Sequence, residues 1–149
     1  GLDNPLVKMS KSETSSEYHA VYLLDPPDHA RKKIMRAVTD SGRDISFNDD
    51  PARAGVNNLL EIYEALTGMS RPDIEAHFAS VRGYGDLKKE VADVVNAALE
   101  PIQRRYYEIT REPDYIDSLL ARGAERAAGI AQATLDTVRD RMGFMKAYS

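Results

Sequence analysis

The chain contains no cysteine and no long apolar run. Without cysteine, disulfide bridges and thiolate metal sites are excluded. No apolar stretch approaches the roughly 20 residues that span a bilayer. The first residues show neither the apolar core of a signal peptide nor an initiating methionine. We therefore expect a cytoplasmic protein without membrane contact, and a first residue that lies inside a longer protein.

The chain lacks an excess of positive charge and has few histidines. The formal net charge of −4 argues against indiscriminate coating of nucleic acid, although it does not exclude local basic patches. The three histidines include no pair at positions i and i+4, and no cysteine assists them. Surface or helix-flanking histidines are expected instead, and no metal site is predicted.

Helical patterns dominate what is present. The 149 residues, 42% of them hydrophobic, suit one domain with its own core. A turn at residues 25–28 should begin a helix that runs to about Ser41, where Gly42 could take a left-handed cap. Residues 43–56 break the pattern and predict a loop, with room for one short strand near Ile45–Phe47.

Apolar residues then recur at steps of three and four. They predict a helix from Asn57, a short helix, and two long helices over about residues 87–109 and 116–142. The fold class that follows is all-α, a compact helical bundle. Signals that begin or end these helices are expected at Gly68, Ser70 and Gly143.

The segment KMSKS, Lys8 to Ser12, is the strongest chemical signal. Each lysine is a compact charge that can follow phosphate oxygens as they separate, as when pyrophosphate leaves ATP. The serine hydroxyls add hydrogen-bond donors, and the backbone around Met9 could face an adenine ring. The alternative is a solvated tail that is rich in lysine and serine.

Further segments extend the signal along the chain. They are LLD at 23–25, KKIMRAVTDS at 32–41, GVNNLLEIY at 55–63, GYGDLKKEV at 83–91, PIQRRY at 101–106 and GAERA at 123–127. In this order, after KMSKS, the chain resembles the C-terminal half of the bacterial tryptophanyl-tRNA synthetases, which are class I aminoacyl-tRNA synthetases. The tyrosyl-tRNA synthetases resemble it less in each segment. One departure follows the loop, where residues 13–16 replace the Asp-Pro-Asn of many members.

The resemblance implies that the chain has two parts with different functions. Residues 1–24 would form the loop and the junction with a preceding Rossmann-type catalytic domain, and residues 25–149 the helical domain that binds the tRNA anticodon. No histidine here begins the family's His-Ile-Gly-His-like motif. The motif, the tryptophan pocket and the homodimer contacts would belong to the preceding half. The chain alone is therefore expected to be inactive and to hold no cofactor tightly.

The resemblance also implies which residues act in the parent enzyme, a tryptophan–tRNA ligase that uses ATP with Mg²⁺, L-tryptophan and tRNA(Trp). Lys8 and Lys11 would be catalytic, and Lys8, Met9, Ser10, Lys11 and Ser12 would contact ATP. Anticodon recognition needs flat side chains for unstacked bases and cations for the backbone. The candidates, each of which could equally be a solvated helix residue, are Arg104, Arg105, Tyr107, Arg111, Arg122, Arg126, Arg139 and Arg141.

Two alternatives stay open. A basic cluster at Arg31, Lys32, Lys33 and Arg36 could meet tRNA phosphates or keep a helix face hydrated. The whole chain could also be a free-standing helical module that binds tRNA or another partner and leaves its KMSKS loop unused.

Overall fold

The computed structural model of the chain describes residues 1–10 and 16–144, and within them the regular structure is helical. The helices are α1 (Pro27–Met35), α2 (Ala54–Thr67), α3 (Arg71–Phe78), α4 (Tyr84–Thr110) and α5 (Pro113–Met142), with one 3₁₀ turn at Pro51–Arg53 before α2. No strand occurs in the described ranges. The predicted all-α class is confirmed.

The chain divides into two compact units, residues 1–104 and 105–149. The first unit contains the hydrophobic core, which α2 fills with three side chains that have no exposed surface. Leu2 brings the N-terminal segment into the same core, at 2% exposure. The members of the core cluster that are at most 2% exposed are Leu2, Ile34, Val56, Leu59, Leu60, Ile74, Phe78, Leu87, Val91 and Ala92.

The first helix is shorter than predicted. It ends at Met35 rather than near Ser41, and Gly42 is not among the glycines with positive φ. The reason is a tertiary contact, because the Val38 amide donates to the Leu2 carbonyl at 2.8 Å instead of continuing the helix. The prediction of a left-handed cap at Gly42 was wrong.

The suggested strand at Ile45–Phe47 was also wrong. Two of its backbone groups, the Ser46 carbonyl and the Phe47 amide, bond side chains rather than a neighbouring strand. The Arg53 guanidinium donates to the carbonyls of Asp44 and Ser46 at 2.7 and 3.1 Å. The Phe47 amide donates to Glu75 of α3 at 2.8 Å. The segment thus stays irregular while Ile45 is buried in the core.

The predicted end of α2 and the predicted start of α3 are confirmed, whereas α2 begins at Ala54, three residues before the predicted start at Asn57. Gly68 ends α2 in the left-handed conformation, with φ 69°, which favours glycine because a Cβ would be strained there. Ser70 caps α3, since its hydroxyl accepts from the Asp73 amide at 3.4 Å and donates to the Asp73 carboxylate at 2.5 Å.

The second unit consists of the last turns of α4 and the whole of α5. Gly143 ends α5 with φ 73°, as the sequence predicts. No side chain in the described part of α5 is buried. Within residues 1–10 and 16–144, no helix is both long enough and apolar enough to span a membrane.

Candidate functional site

The base of the KMSKS loop is built on the core by backbone hydrogen bonds. The Leu2 amide donates to the His19 carbonyl at 2.9 Å, and the Leu2 carbonyl accepts from Val38. The segment before the loop is therefore held between the segment after the loop and the end of α1. Because Leu2 is buried, this base moves with the core of the first unit.

His19 joins both sides of that base through its side chain. Its Nδ1 lies 2.7 Å from Oδ1 of Asp3, and its Nε2 lies 3.3 Å from the carbonyl oxygen of Lys8. The residue is 3% exposed. Gly1 packs against the ring so closely that a Cβ there would lie 2.2 Å from Cε1 of His19.

Asp3 responds electrostatically to this arrangement. Burial alone would raise the pKa of its carboxyl group, but hydrogen bonds from His19 and Ser16 favour the ionised form and leave the pKa below its usual value. Asp3 is therefore a carboxylate at neutral pH, and it accepts hydrogen bonds from the segment that follows the loop.

The described residues of the loop have exposed side chains. Lys8, Met9 and Ser10 are exposed, and no carboxylate in the described part of the chain pairs with the Lys8 ammonium. Lys11 and Ser12, the other predicted ATP-contacting residues, lie outside the described residues, as does most of the 13–16 departure. The accessible Lys8 side chain is consistent with a contact to an anionic ligand.

A buried ion pair fixes the segment that leads from the loop into α1. Lys33, 1% exposed, places its ammonium 2.6 Å from Oδ2 of Asp25 and 4.4 Å from the ring centroid of Tyr22. The same Asp25 oxygen accepts from the Tyr22 amide at 2.9 Å. Gln103 of α4 donates to the carbonyls of Leu23 and Asp25, both at 2.9 Å.

The structure divides the basic cluster on α1. Lys33 is neither a phosphate contact nor a hydrated residue, because it is buried against Asp25. Arg31 pairs with Asp93 of α4. Arg36 and Lys32 lie over the Tyr18 ring, 4.2 and 5.8 Å from its centroid. Lys32 and Arg36 remain exposed, and the Arg31 side chain is 40% exposed beside its partner, so a phosphate could reach these three members.

All eight candidate tRNA-binding residues are exposed. On α5, Arg122 and Arg126 are one turn apart and share a face, whereas Arg139 and Arg141 are two residues apart and point to different sides. Arg139 also lies 3.9 Å from Asp136. The α5 candidates therefore do not form one continuous basic stripe.

Near the start of the second unit, Arg105 pairs with one glutamate and shares a cavity with a second. Its guanidinium lies 3.2 Å from Glu108. The two residues line a cavity of about 350 Å³ together with Ile109, Glu112 and Tyr115. Two carboxylates beside one guanidinium make this cavity a poor phosphate site.

A comparison with known protein families shows to which family the chain belongs. The family model of the tRNA synthetases class I (W and Y) matches residues 2–100, about two thirds of the 149 residues. The chain belongs to this family. The match begins at the buried Leu2 and includes the loop base and most of α4 of this class I synthetase chain.

Individual relatives of this class I synthetase chain agree with the family model. It is 47% identical over 137 residues to the tryptophan–tRNA ligase of Thermosynechococcus vestitus, covering 92% of this chain and 41% of the relative. It is 48% identical over 145 residues to a Helicobacter pylori tryptophan–tRNA ligase, covering 97% and 43%. The crystal structure of tryptophanyl-tRNA synthetase from Mycoplasma pneumoniae matches with a TM-score of 0.73 at 32% identity, covering 97% and 43%. The chain thus spans about two fifths of the length of these relatives.

The sequence of this class I synthetase chain predicted the loop but not the buried side chains that hold the segments on either side of it. His19 was expected to be a surface or helix-flanking histidine, yet it is buried and contacts residues 16 and 11 positions away. No local spacing signals such contacts. The burial of Lys33 could have been predicted from its spacing. It lies three residues after Ala30 and four before Ala37, on the buried face of that segment.

Proposed function

We propose that this chain is the C-terminal part of a tryptophan–tRNA ligase, which activates tryptophan with ATP to tryptophanyl-adenylate and transfers it to tRNA(Trp). The observation that carries the proposal is the loop base. Lys8 is exposed on a segment whose backbone is tied to the core through Leu2 and His19. A cation held in this way suits phosphate oxygens that gain charge as pyrophosphate leaves.

In this proposal, the loop acts on ATP that another part of the protein holds. Residues 1–24 supply Lys8, Met9, Ser10, Lys11 and Ser12 to the nucleotide, and Lys8 and Lys11 are the catalytic cations. The tryptophan pocket, the rest of the ATP site and the contacts of a homodimer lie in the remaining three fifths of the cytoplasmic enzyme. The chain alone binds no cofactor tightly.

Among the described residues, no group of three or more histidine, aspartate or glutamate side chains could hold a metal ion. No step proposed for these residues depends on Mg²⁺, which we assign to the nucleotide phosphates and the rest of the enzyme.

Residues 25–149 form the tRNA-binding part in this proposal. The exposed arginines offer positive charge to the phosphate backbone of the tRNA and flat guanidinium groups to its unstacked bases. Tyr107 adds an aromatic face, and its ring contacts that of Tyr106 with centroids 5.4 Å apart. Because the chain is acidic overall, only a few phosphates can be neutralised, and weak, salt-sensitive binding is expected.

The loop is tested by alanine variants in the full-length ligase. Lys11→Ala should lower the rate of tryptophan activation by about 10²-fold, as losing one donor to a developing charge does elsewhere. Lys8→Ala should be similar or milder. The KM for tryptophan should change little, because the contact strengthens only as charge develops. Lys89→Ala, which removes an exposed lysine paired with Asp86, is the matched control. Rates equal to that control would refute the role of the loop.

The tRNA contact is tested with the 149-residue chain itself. The chain should bind tRNA(Trp) with an affinity that falls as salt rises. Each changed anticodon base should weaken binding by about 1–3 kcal/mol if base edges are read. Charge-removing changes at Arg122 and Arg126 should reduce the salt slope, with Lys89→Ala again as control. Equal affinity for every anticodon would favour a free-standing phosphate-binding or interaction module.

A further inference from the structure

We propose that His19 is a positioning residue for the first lysine of the loop. It holds the Lys8 backbone through the hydrogen bond from Nε2, while Asp3 orients its ring through Nδ1. This inference rests on the proposed function of Lys8, because it concerns where that ammonium is placed during ATP activation.

Three hydrogen bonds hold His19 in place, one through its backbone and two through its ring. Its backbone carbonyl accepts from Leu2 at 2.9 Å, which ties the residue to the core. Its Nδ1 meets Asp3 at 2.7 Å, and its Nε2 meets the Lys8 carbonyl at 3.3 Å. The His19 side chain is 4% exposed, and Gly1 packs against its ring. A carbonyl oxygen can only accept, so Nε2–H of His19 donates the hydrogen bond to Lys8.

The Lys8 contact is the only one of these that reaches the KMSKS motif within the described residues. The Lys8 carbonyl belongs to the residue whose side chain would meet phosphate, so its position sets where the exposed side chain starts. A displacement of about 1 Å at such a group is enough to cost a large factor in rate. Asp3 contributes indirectly, because a carboxylate that accepts from Nδ1 fixes the ring plane and therefore the direction of Nε2.

Two near-isosteric variants separate the two ring contacts. The side-chain amide of glutamine can place its nitrogen where Nε2 lies, and that of asparagine can place its nitrogen where Nδ1 lies. His19→Gln therefore keeps the donor to Lys8, and His19→Asn keeps only the donor to Asp3. A residue that merely fills the core would show no such preference for glutamine.

The first readout uses the 149-residue chain. The carbonyl ¹³C shift of Lys8 reports whether that oxygen accepts a hydrogen bond. We expect the His19→Gln variant to keep the wild-type shift and the His19→Asn variant to lose it. The reverse pattern, or an equal shift in both variants, would overturn the proposed contact.

The second readout is tryptophan activation by the full-length ligase. His19→Asn should lower kcat by about tenfold, the factor expected from one net hydrogen bond, whereas His19→Gln should stay within about threefold of wild type. Equal activity of the two variants, through unfolding of both or through an effect on neither, would overturn the inference.

Lys8→Ala in the same protein separates the two ideas. If this variant activates tryptophan normally, the proposed function of Lys8 fails, whatever the His19 variants do. If Lys8→Ala is impaired but His19→Gln is no more active than His19→Asn, only the positioning inference fails.

Discussion

Replacing Lys33 by methionine should destabilise the first unit strongly. Methionine fills a similar volume but removes the cation 2.6 Å from Asp25. The Asp25 carboxylate, in a residue only 8% exposed, is then left buried without its main partner. Removing one member of a buried pair typically costs about 3–5 kcal/mol. The Tyr22 amide and His29, whose Nδ1 lies 3.6 Å from the carboxylate, still face it, so we expect about 3 kcal/mol.

A double variant and an exposed pair provide the controls. Asp25→Asn combined with Lys33→Met removes both charges, keeps an acceptor for the Tyr22 amide and should cost only about 1 kcal/mol. Arg31→Met breaks an ion pair whose side chains are 40% and 62% exposed. Such exposed pairs contribute about 0–1 kcal/mol, so this variant should stay close to wild type.

Urea unfolding of the 149-residue chain measures these differences. The chain has no tryptophan, so near-ultraviolet circular dichroism of its tyrosines is a suitable signal. Tyr63 and Tyr84 are buried in the first unit and report on its packing. A Lys33→Met variant no less stable than Arg31→Met would show that the buried pair does not hold the loop-to-helix segment as argued.

Two further perturbations test the packing around the site. Burial, followed by the hydrogen bond to Asp40, raises the pKa of Tyr84 to about 12. The stability that the neutral Tyr84 hydroxyl contributes is therefore complete below pH 10 and is lost as pH rises toward 12. Tyr84→Phe should remove this part of the pH dependence of stability in urea titrations, and an unchanged pH dependence would contradict the assignment. Gly55→Ala would place a Cβ 2.1 Å from the Val38 carbonyl oxygen and should cost about 1–3 kcal/mol in thermal unfolding, whereas the matched Gly123→Ala, with open space around it, should be neutral or slightly stabilising.

The sequence predicted the features that short-range chemistry controls. Gly68 and Gly143 end their helices in the left-handed conformation, and Ser70 caps the next helix, because these preferences depend on a few neighbouring residues. The long amphipathic patterns likewise predicted α4 and α5. The KMSKS loop was found for the same reason, since its chemistry lies in five consecutive residues.

The missed features depend on partners far away in the sequence. The first helix ends early because Val38 turns to bond Leu2, a contact over 36 positions that no helical pattern contains. The segment near Ile45 forms no strand because Arg53 takes two of its carbonyls. His19 became a support of the loop base only when folding brought residues before and after the loop together. The division of the chain at residues 24 and 25 stays a prediction.

The central claim is tested most directly by pyrophosphate exchange with the purified full-length protein and with the 149-residue chain. Because the family includes enzymes for tryptophan and for tyrosine, both amino acids are supplied in parallel. We predict ATP-dependent exchange by the full-length protein with tryptophan and not with tyrosine, and no exchange by the 149-residue chain alone. Exchange with tyrosine, or exchange by a clean preparation of the chain alone, would contradict the account.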